Sequence, residues 1–281
     1  MTDVRTQEAP TTVAQSRSED HGSYIWYELM TPDPDAAKAF YDAVVGWDVE
    51  PQPSGEMDYR MIRRSDGGSA GGVMRLTDEM QQHGARPTWL GYICVDDVDA
   101  SVASIEQAGG KTYMAAFDIP NIGRIAMVAD PQGAPFYVMK PIPPAGRENE
   151  KSDVFSPDKV GRCGWNELST SDGLAALDFY TSQFGWEKGD AMPMGDKGDY
   201  RFINHHGQML GAIFPSAAGA RADERPHWRY YFRVPSIATA KDAIEQNGGK
   251  VAHGPMEVPG GDHIIIGFDP QGAEFALVGG K

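Results

Sequence analysis

The sequence predicts an α+β protein built as two tandem halves, each half made of two βαβββ units. Three observations carry this. First, WYELMTPDPDAAKAFYDAVVGW from Trp26 returns as WNELSTSDGLAALDFYTSQFGW from Trp165, an offset of 139 residues. Second, the same offset maps Trp89 to Trp228, Gly109-Gly110-Lys111 to Gly248-Gly249-Lys250, and Asp130-Pro131-Gln132-Gly133-Ala134 to Asp269-Pro270-Gln271-Gly272-Ala273. Only Asp58-Tyr59-Arg60 slips, to Asp199-Tyr200-Arg201 at 141. Third, a strand–helix–three-strand pattern occurs twice within each half.

The elements follow in order. Residues 24–31 alternate and are rich in aromatics, as a half-buried strand requires. Asp33 or Asp35 caps a helix to about Val45, with Ala36, Ala37, Phe40, Tyr41 and Val44 as its apolar face and Gly46 as its stop. Strands at 47–52, 58–64 and 70–76 are separated by Pro, Gly and Ser turns. The second unit repeats the order, with a strand at 88–95, a helix at about 97–108, and strands near 111–117, 123–129 and 135–140. The chain divides into a disordered tail (1–22), a first domain (23–140), an exposed Pro-rich linker (141–161) and a second domain (162–281).

Composition limits the function. The chain has 281 residues and a net charge of −15, spread over both halves, which disfavours nucleic acid and anionic membrane surfaces as partners. No stretch approaches a membrane-spanning helix, and the N-terminus has no apolar signal segment. Cys94 and Cys163 are too few for a disulfide framework and no CxxC occurs, so a reducing cytoplasm is expected. No GxGxxG or GxxxxGK[ST] offers a nucleotide cradle.

Four βαβββ units, the FY…GW helix exit and the DPQG hairpins resemble the vicinal oxygen chelate superfamily, which includes glyoxalase I, bleomycin-resistance proteins and extradiol dioxygenases. The likeness to tandem two-domain glyoxalase-like proteins covers nearly everything from Tyr24 onward. It implies that each pair of units forms one U-shaped mixed sheet around a cup, holding a divalent metal in many members and an organic ligand in others. It also implies where metal ligands would stand: Trp26 and Trp165 on the first strands, Leu90 and Arg229 on the third position, Tyr137 and Ala276 after the DPQG turns, and positions around Gly72 and Gly211. None of these is His, Asp or Glu, so no metal and no other cofactor is expected.

Candidate site residues follow. Glu28 and Glu167 lie two residues after Trp26 and Trp165, so strand alternation turns them to the same, cup-facing side. Each is a candidate catalytic base or ligand anchor, or a structural carboxylate satisfied by backbone or arginine. Trp26, Tyr137 and Trp165 either form a stacking wall for a flat ligand or fill a closed core. Arg60 and Arg201 pair with these acids, hold an anionic ligand, or face solvent. Trp47, Trp89, Trp186 and Trp228 read as packing residues, and His205-His206-Gly207 as a hairpin tip. A cluster of His227, His253 or His263 with Glu167 is the arrangement that would restore a metal site.

The expected function is metal-independent binding of a small planar or apolar organic molecule. The alternative is a lyase, isomerase or dioxygenase using one cup, with an atypical metal site or Glu-based proton transfer. With four units in one chain, a monomeric internal pseudo-dimer is expected, and a weak homodimer stays open.

Overall fold

A computed structural model of the chain describes residues 17–53, 55, 57–143, 145–147, 150–215 and 225–281. The first half contains β1 (Tyr24–Thr31), α1 (Pro34–Val45), β2 (Asp48–Val49), β3 (Tyr59–Arg63), β4 (Ser69–Arg75), α2 (Asp78–Gln82), β5 (Thr88–Cys94), α3 (Val98–Gln107), β6 (Lys111–Ile119), β7 (Gly123–Ala129) and β8 (Pro135–Pro141). The second contains β9 (Cys163–Thr170), α4 (Gly173–Phe184), β10 (Glu187–Pro193), β11 (Asp199–His205), β12 (Gln208–Pro215), β13 (His227–Ser236), α5 (Ile237–Gln246), β14 (Lys250–Glu257), β15 (His263–Phe268) and β16 (Glu274–Gly280). This is the four-unit α+β architecture the repeat predicts. Helix α2 was not foreseen; at five residues it is too short to show a period.

Local chemistry sets the element ends. Asp33, Asp97, Asp172 and Ser236 cap the four long helices by accepting a bond from the backbone N–H three residues on. Gly46 and Gly185 close α1 and α4 in the left-handed conformation. His206 and Gly207, both at positive φ, form the tight turn between β11 and β12, so the adjacent histidines do mark a hairpin tip.

Each half makes its own eight-stranded mixed sheet. The orders are β2-β3-β4-β1-β5-β8-β7-β6 and β10-β11-β12-β9-β13-β16-β15-β14. The two units of a half meet antiparallel at the centre, β1 with β5 and β9 with β13. On β1, Tyr27 and Leu29 enter a large core shared by both halves, while Trp26 and Met30 belong to a cluster on the opposite face. A bulge between Tyr24 and Trp26 lets Tyr24 join the shared core as well.

The shared core is a pseudo-two-fold interface inside one chain. Tyr41 donates to Asp269 at 3.1 Å and its repeat mate Tyr180 donates to Asp130 at 3.2 Å. Trp89 and Trp228 donate to those same tyrosines at 2.9 Å each. Trp47 bonds the Gly161 carbonyl and Trp186 the Gly22 carbonyl, both at 2.8 Å. All four tryptophans are buried packing residues, and the DPQG aspartates serve their turns and this seam. On the symmetry axis Tyr27 meets its own counterpart, donating to Asn166 at 2.8 Å.

Gly91 is required by this seam. Its N–H donates to the Tyr230 hydroxyl at 2.7 Å, and an added Cβ would stand 2.6 Å from the Tyr24 ring and 2.8 Å from the Tyr230 oxygen. Gly91→Ala should therefore cost about 1–3 kcal/mol of overpacking in urea unfolding; an unchanged midpoint would show that the seam yields there.

Two segments differ from their sequence reading. Most of the tail lies outside the described residues, but 17–22 is docked: Arg17 donates to the Ser182 carbonyl at 2.8 Å, and buried His21 reaches the Gln183 carbonyl at 3.2 Å. The end of the linker is docked too. Val154 is buried, and Asp153 bridges Arg64 and Arg162 at 2.7 and 2.6 Å. Polar composition marked these residues as loop, but hydrogen bonds and charge pairs to other parts of the chain attach them. Among the described residues, no helix is long and apolar enough to cross a membrane.

Candidate functional site

The face of each sheet opposite the shared core carries the candidate residues. In the first half this face holds Met30, Leu76, Leu90, Tyr92, Ile125, Tyr137 and Met139, with Trp26, Met74, Met80, Met114 and Met127 partly buried against them. Met80 comes from α2, so the unforeseen helix contributes to this cluster. Tyr92 and Tyr137, paired on β5 and β8, stack with ring centroids 4.2 Å apart and planes 17° apart.

Glu28 sits in the middle of this cluster's strands, opposite Leu90 on β5 and Gly72 on β4, and is only 2% exposed. Tyr92 donates to its Oε2 at 2.8 Å, while Oε1 has no hydrogen-bond partner. Tyr59 also lies against the carboxyl and accepts a bond from Trp26 Nε1 at 2.6 Å. A side chain at Gly72 would collide with the Tyr59 ring, so glycine there lets the ring lie across the strand. Burial raises the Glu28 pKa to about 7, outweighing the hydrogen bond from Tyr92 and the nearby Tyr59 hydroxyl, which favour the charged form. Burial likewise pushes the Tyr59, Tyr92 and Tyr137 hydroxyls well up, so all three stay protonated near neutrality.

The second half keeps the frame and changes the charges. Trp165 donates to Tyr200 at 2.8 Å, and Tyr200 donates to Glu167 Oε2 at 2.8 Å. Glu167 Oε1 accepts from Tyr231 at 3.2 Å and from Arg229 Nη1 at 2.6 Å. Arg229 stands opposite Glu167 on β13, where the first half has Leu90. Its Nε donates to Glu274 at 2.6 Å, and Glu274 also meets His227 Nε2 at 3.1 Å. Ala276 replaces Tyr137, and the apolar cluster on this face is small: Tyr231, Ile264, Ala276 and Val278, with Trp165, Val258 and Ile266 beside them.

The structure thus brings Glu28, Trp26 and Tyr137 together in the first half and places Glu167 and Trp165 apart from them in the second. Arg60 and Arg201 join neither acid. Arg60 is buried and pairs with Asp35 at 2.6 Å and Asp58 at 2.9 Å; Arg201 pairs with Asp199 at 2.6 Å. The cup-facing member of the repeated DYR is its tyrosine, and alternation sends the arginine to the other side. Tyr59, Tyr200, Tyr92 and Tyr231 were therefore missed, though their positions in the repeat carried the signal. His227 does reach the second cup, through Glu274, while His253 is exposed and His263 opens β15. Cys94 and Cys163 are buried, unbridged thiols, and burial pushes each up to about 12.

Two sheets of paired βαβββ units, each with a carboxylate and aromatic rings on the face away from the shared core, define a tandem two-sheet protein. Comparison with known proteins gives the family. Residues 26–139 match the model of a glyoxalase-like domain, and residues 160–277 match that of the glyoxalase/bleomycin resistance protein/dioxygenase superfamily. The chain is 30% identical over 260 residues to a Mycobacterium tuberculosis protein named "Putative glyoxylase CFP32", covering 92% of this chain and 94% of that one. It is 32% identical over 272 residues to the anthracycline biosynthesis protein DnrV of Streptomyces peucetius, covering 92% and 93%. The chain belongs to the glyoxalase/bleomycin resistance protein/dioxygenase superfamily. The Mn(II)-bound glyoxalase of Novosphingobium aromaticivorans shares the fold, with a TM-score of 0.61 at 18% identity over 92% of this chain and 82% of that one.

Proposed function

We propose that the protein binds a small, flat, largely apolar organic molecule in its first cup, without the divalent metal of many superfamily members. The observation that carries this is the surrounding of Glu28: one buried carboxylate with a free oxygen, four aromatic side chains (Trp26, Tyr59, Tyr92 and Tyr137) and a lining rich in methionine. Aromatic faces give a flat ligand large contact area, and unbranched thioether side chains adapt to its outline. DnrV carries a name from anthracycline biosynthesis, which fits an aromatic ligand class.

The residues present do not suit a divalent ion. Such an ion needs several converging N, O or S⁻ donors. The first cup offers one carboxylate and phenols that burial keeps protonated. In the second, the Arg229 guanidinium already sits on both carboxylates. Among the described residues, no group of three or more His, Cys, Asp or Glu is placed to hold a metal.

Elemental analysis of dialysed, untagged protein should find no stoichiometric transition metal. A thermal-shift screen should then find flat ligands, and Trp26→Ala should weaken their binding roughly tenfold or more while Trp165→Ala leaves it unchanged. A metal retained at one per chain, or affinity unaffected by Trp26→Ala, contradicts the reading.

One observation favours a second, enzymatic reading. A carboxyl with a pKa of about 7 and an unpartnered oxygen is suited to take a proton from a carbon acid and return it elsewhere, an isomerisation. Deuterium uptake from solvent into a bound ligand, lost in Glu28→Gln, is the result this second reading requires.

A further inference from the structure

We propose that the first cup recognises an organic cation, a protonated amine or guanidinium on a flat apolar body, with its charged group seated on Glu28. This rests on the reading of the first cup as the ligand site, and it names the ligand's charge.

The internal repeat supplies the comparison. Glu28 and Glu167 occupy equivalent positions, each beside a Trp–Tyr pair (Trp26–Tyr59, Trp165–Tyr200) and each bonded by the tyrosine of the neighbouring strand, Tyr92 or Tyr231. They differ in their partners and in their burial. Both oxygens of Glu167 are partnered, and a cation supplies the shortest of those bonds, Arg229 Nη1 at 2.6 Å. Glu28 is more deeply buried, yet its Oε1 has no partner. The residue facing it across the strand pair is Leu90 where the second half has Arg229. The second half therefore contains, as part of its own chain, the cation that the first half lacks.

The surroundings suit an incoming cation. Trp26, Tyr92 and Tyr137 lie in the same cluster, with Tyr92 and Tyr137 stacked on one another, and aromatic π-systems attract ammonium and guanidinium most strongly where water is excluded. A buried carboxylate with a free lone pair is costly alone and forms a strong charge-assisted bond when a cation arrives. The net charge of −15 raises the local concentration of cations around the protein.

Calorimetric titration of the full chain near pH 8 with two flat probes of similar shape, cationic proflavine and neutral acridone, tests this. Wild type should bind proflavine roughly tenfold or more tighter than acridone. Glu28→Gln, close in shape and neutral, should remove that preference while acridone still binds. Leu90→Arg, which places the second half's guanidinium beside Glu28, should abolish proflavine binding. Equal affinity for the two probes, or a preference that survives Glu28→Gln, overturns the inference and leaves the cup standing as a ligand site. Failure of both probes to bind overturns the ligand-site reading and the inference with it.

Discussion

Replacing Arg229 by leucine is expected to destabilise the protein by about 3–5 kcal/mol near neutral pH, the usual cost of stripping one partner from a buried ion pair. Arg229 is mostly buried and joins two carboxylates, Glu167 and Glu274, at 2.6 Å each. Burial by itself disfavours its charge, but Glu167, Tyr231 and Glu274 reverse the sign and hold its pKa above the usual arginine value. Burial also pushes Glu274 up, yet the hydrogen bond from His227 and the charge of Arg229 outweigh it and hold Glu274 down to about 2. Leucine would leave buried Glu167 and partly buried Glu274 with only His227 and tyrosine hydroxyls as partners. The loss should shrink as pH falls from 4.5 towards about 2, where Glu274 gives up its charge. Adding Glu167→Leu should recover part of it, because one uncompensated charge is removed. Urea unfolding of the single and double variants measures both effects; a single-variant loss below about 1 kcal/mol means that the pair is effectively solvated.

The second large effect belongs to Glu28 and has the opposite sign to the usual carboxylate. Its pKa is raised from 4.5 to about 7 in the folded protein. Between those values the folded form keeps a proton that the unfolded chain releases. The stabilising contribution is therefore complete below pH 4.5, falls as pH rises, and is lost above about 7. At about 1.4 kcal/mol per pKa unit, the fall is on the order of 3 kcal/mol. The groups facing the carboxyl are the hydroxyls of Tyr92, Tyr59 and Tyr137, all neutral in this range. Glu28→Gln should therefore match wild type near pH 5 and exceed it near pH 8. Parallel stability curves for the two proteins would contradict the assignment. Glu274 acts in a separate window, losing its contribution as pH falls from 4.5 towards about 2.

The repeat made most of the fold legible. Turn residues, aspartate caps and alternation located β1, α1, α3 and the hairpins closely, because each is set by local chemistry. The docking of residues 17–22 and of Asp153 was not legible, since those contacts join residues far apart in sequence. The site was half legible. Alternation puts Glu28 beside Trp26, but sequence alone does not fix the register of DYR, whose tyrosine and not its arginine shares that face. The Arg229–Glu274 pair has Leu90 and Pro135 at the matching places of the first half, so comparing the halves for shared residues passed over it. That difference is what separates an internally neutralised cup from one with a free carboxylate oxygen.

The central claim is that the first cup, not the second, takes the ligand. Fluorine NMR of protein labelled at its six tryptophans tests it directly, with Trp26 and Trp165 assigned by Phe replacement. Titration with the strongest flat ligand should move the Trp26 resonance to saturation at one ligand per chain, while Trp165 and the four seam tryptophans stay in place. A shift at Trp165 with Trp26 unmoved would contradict the account.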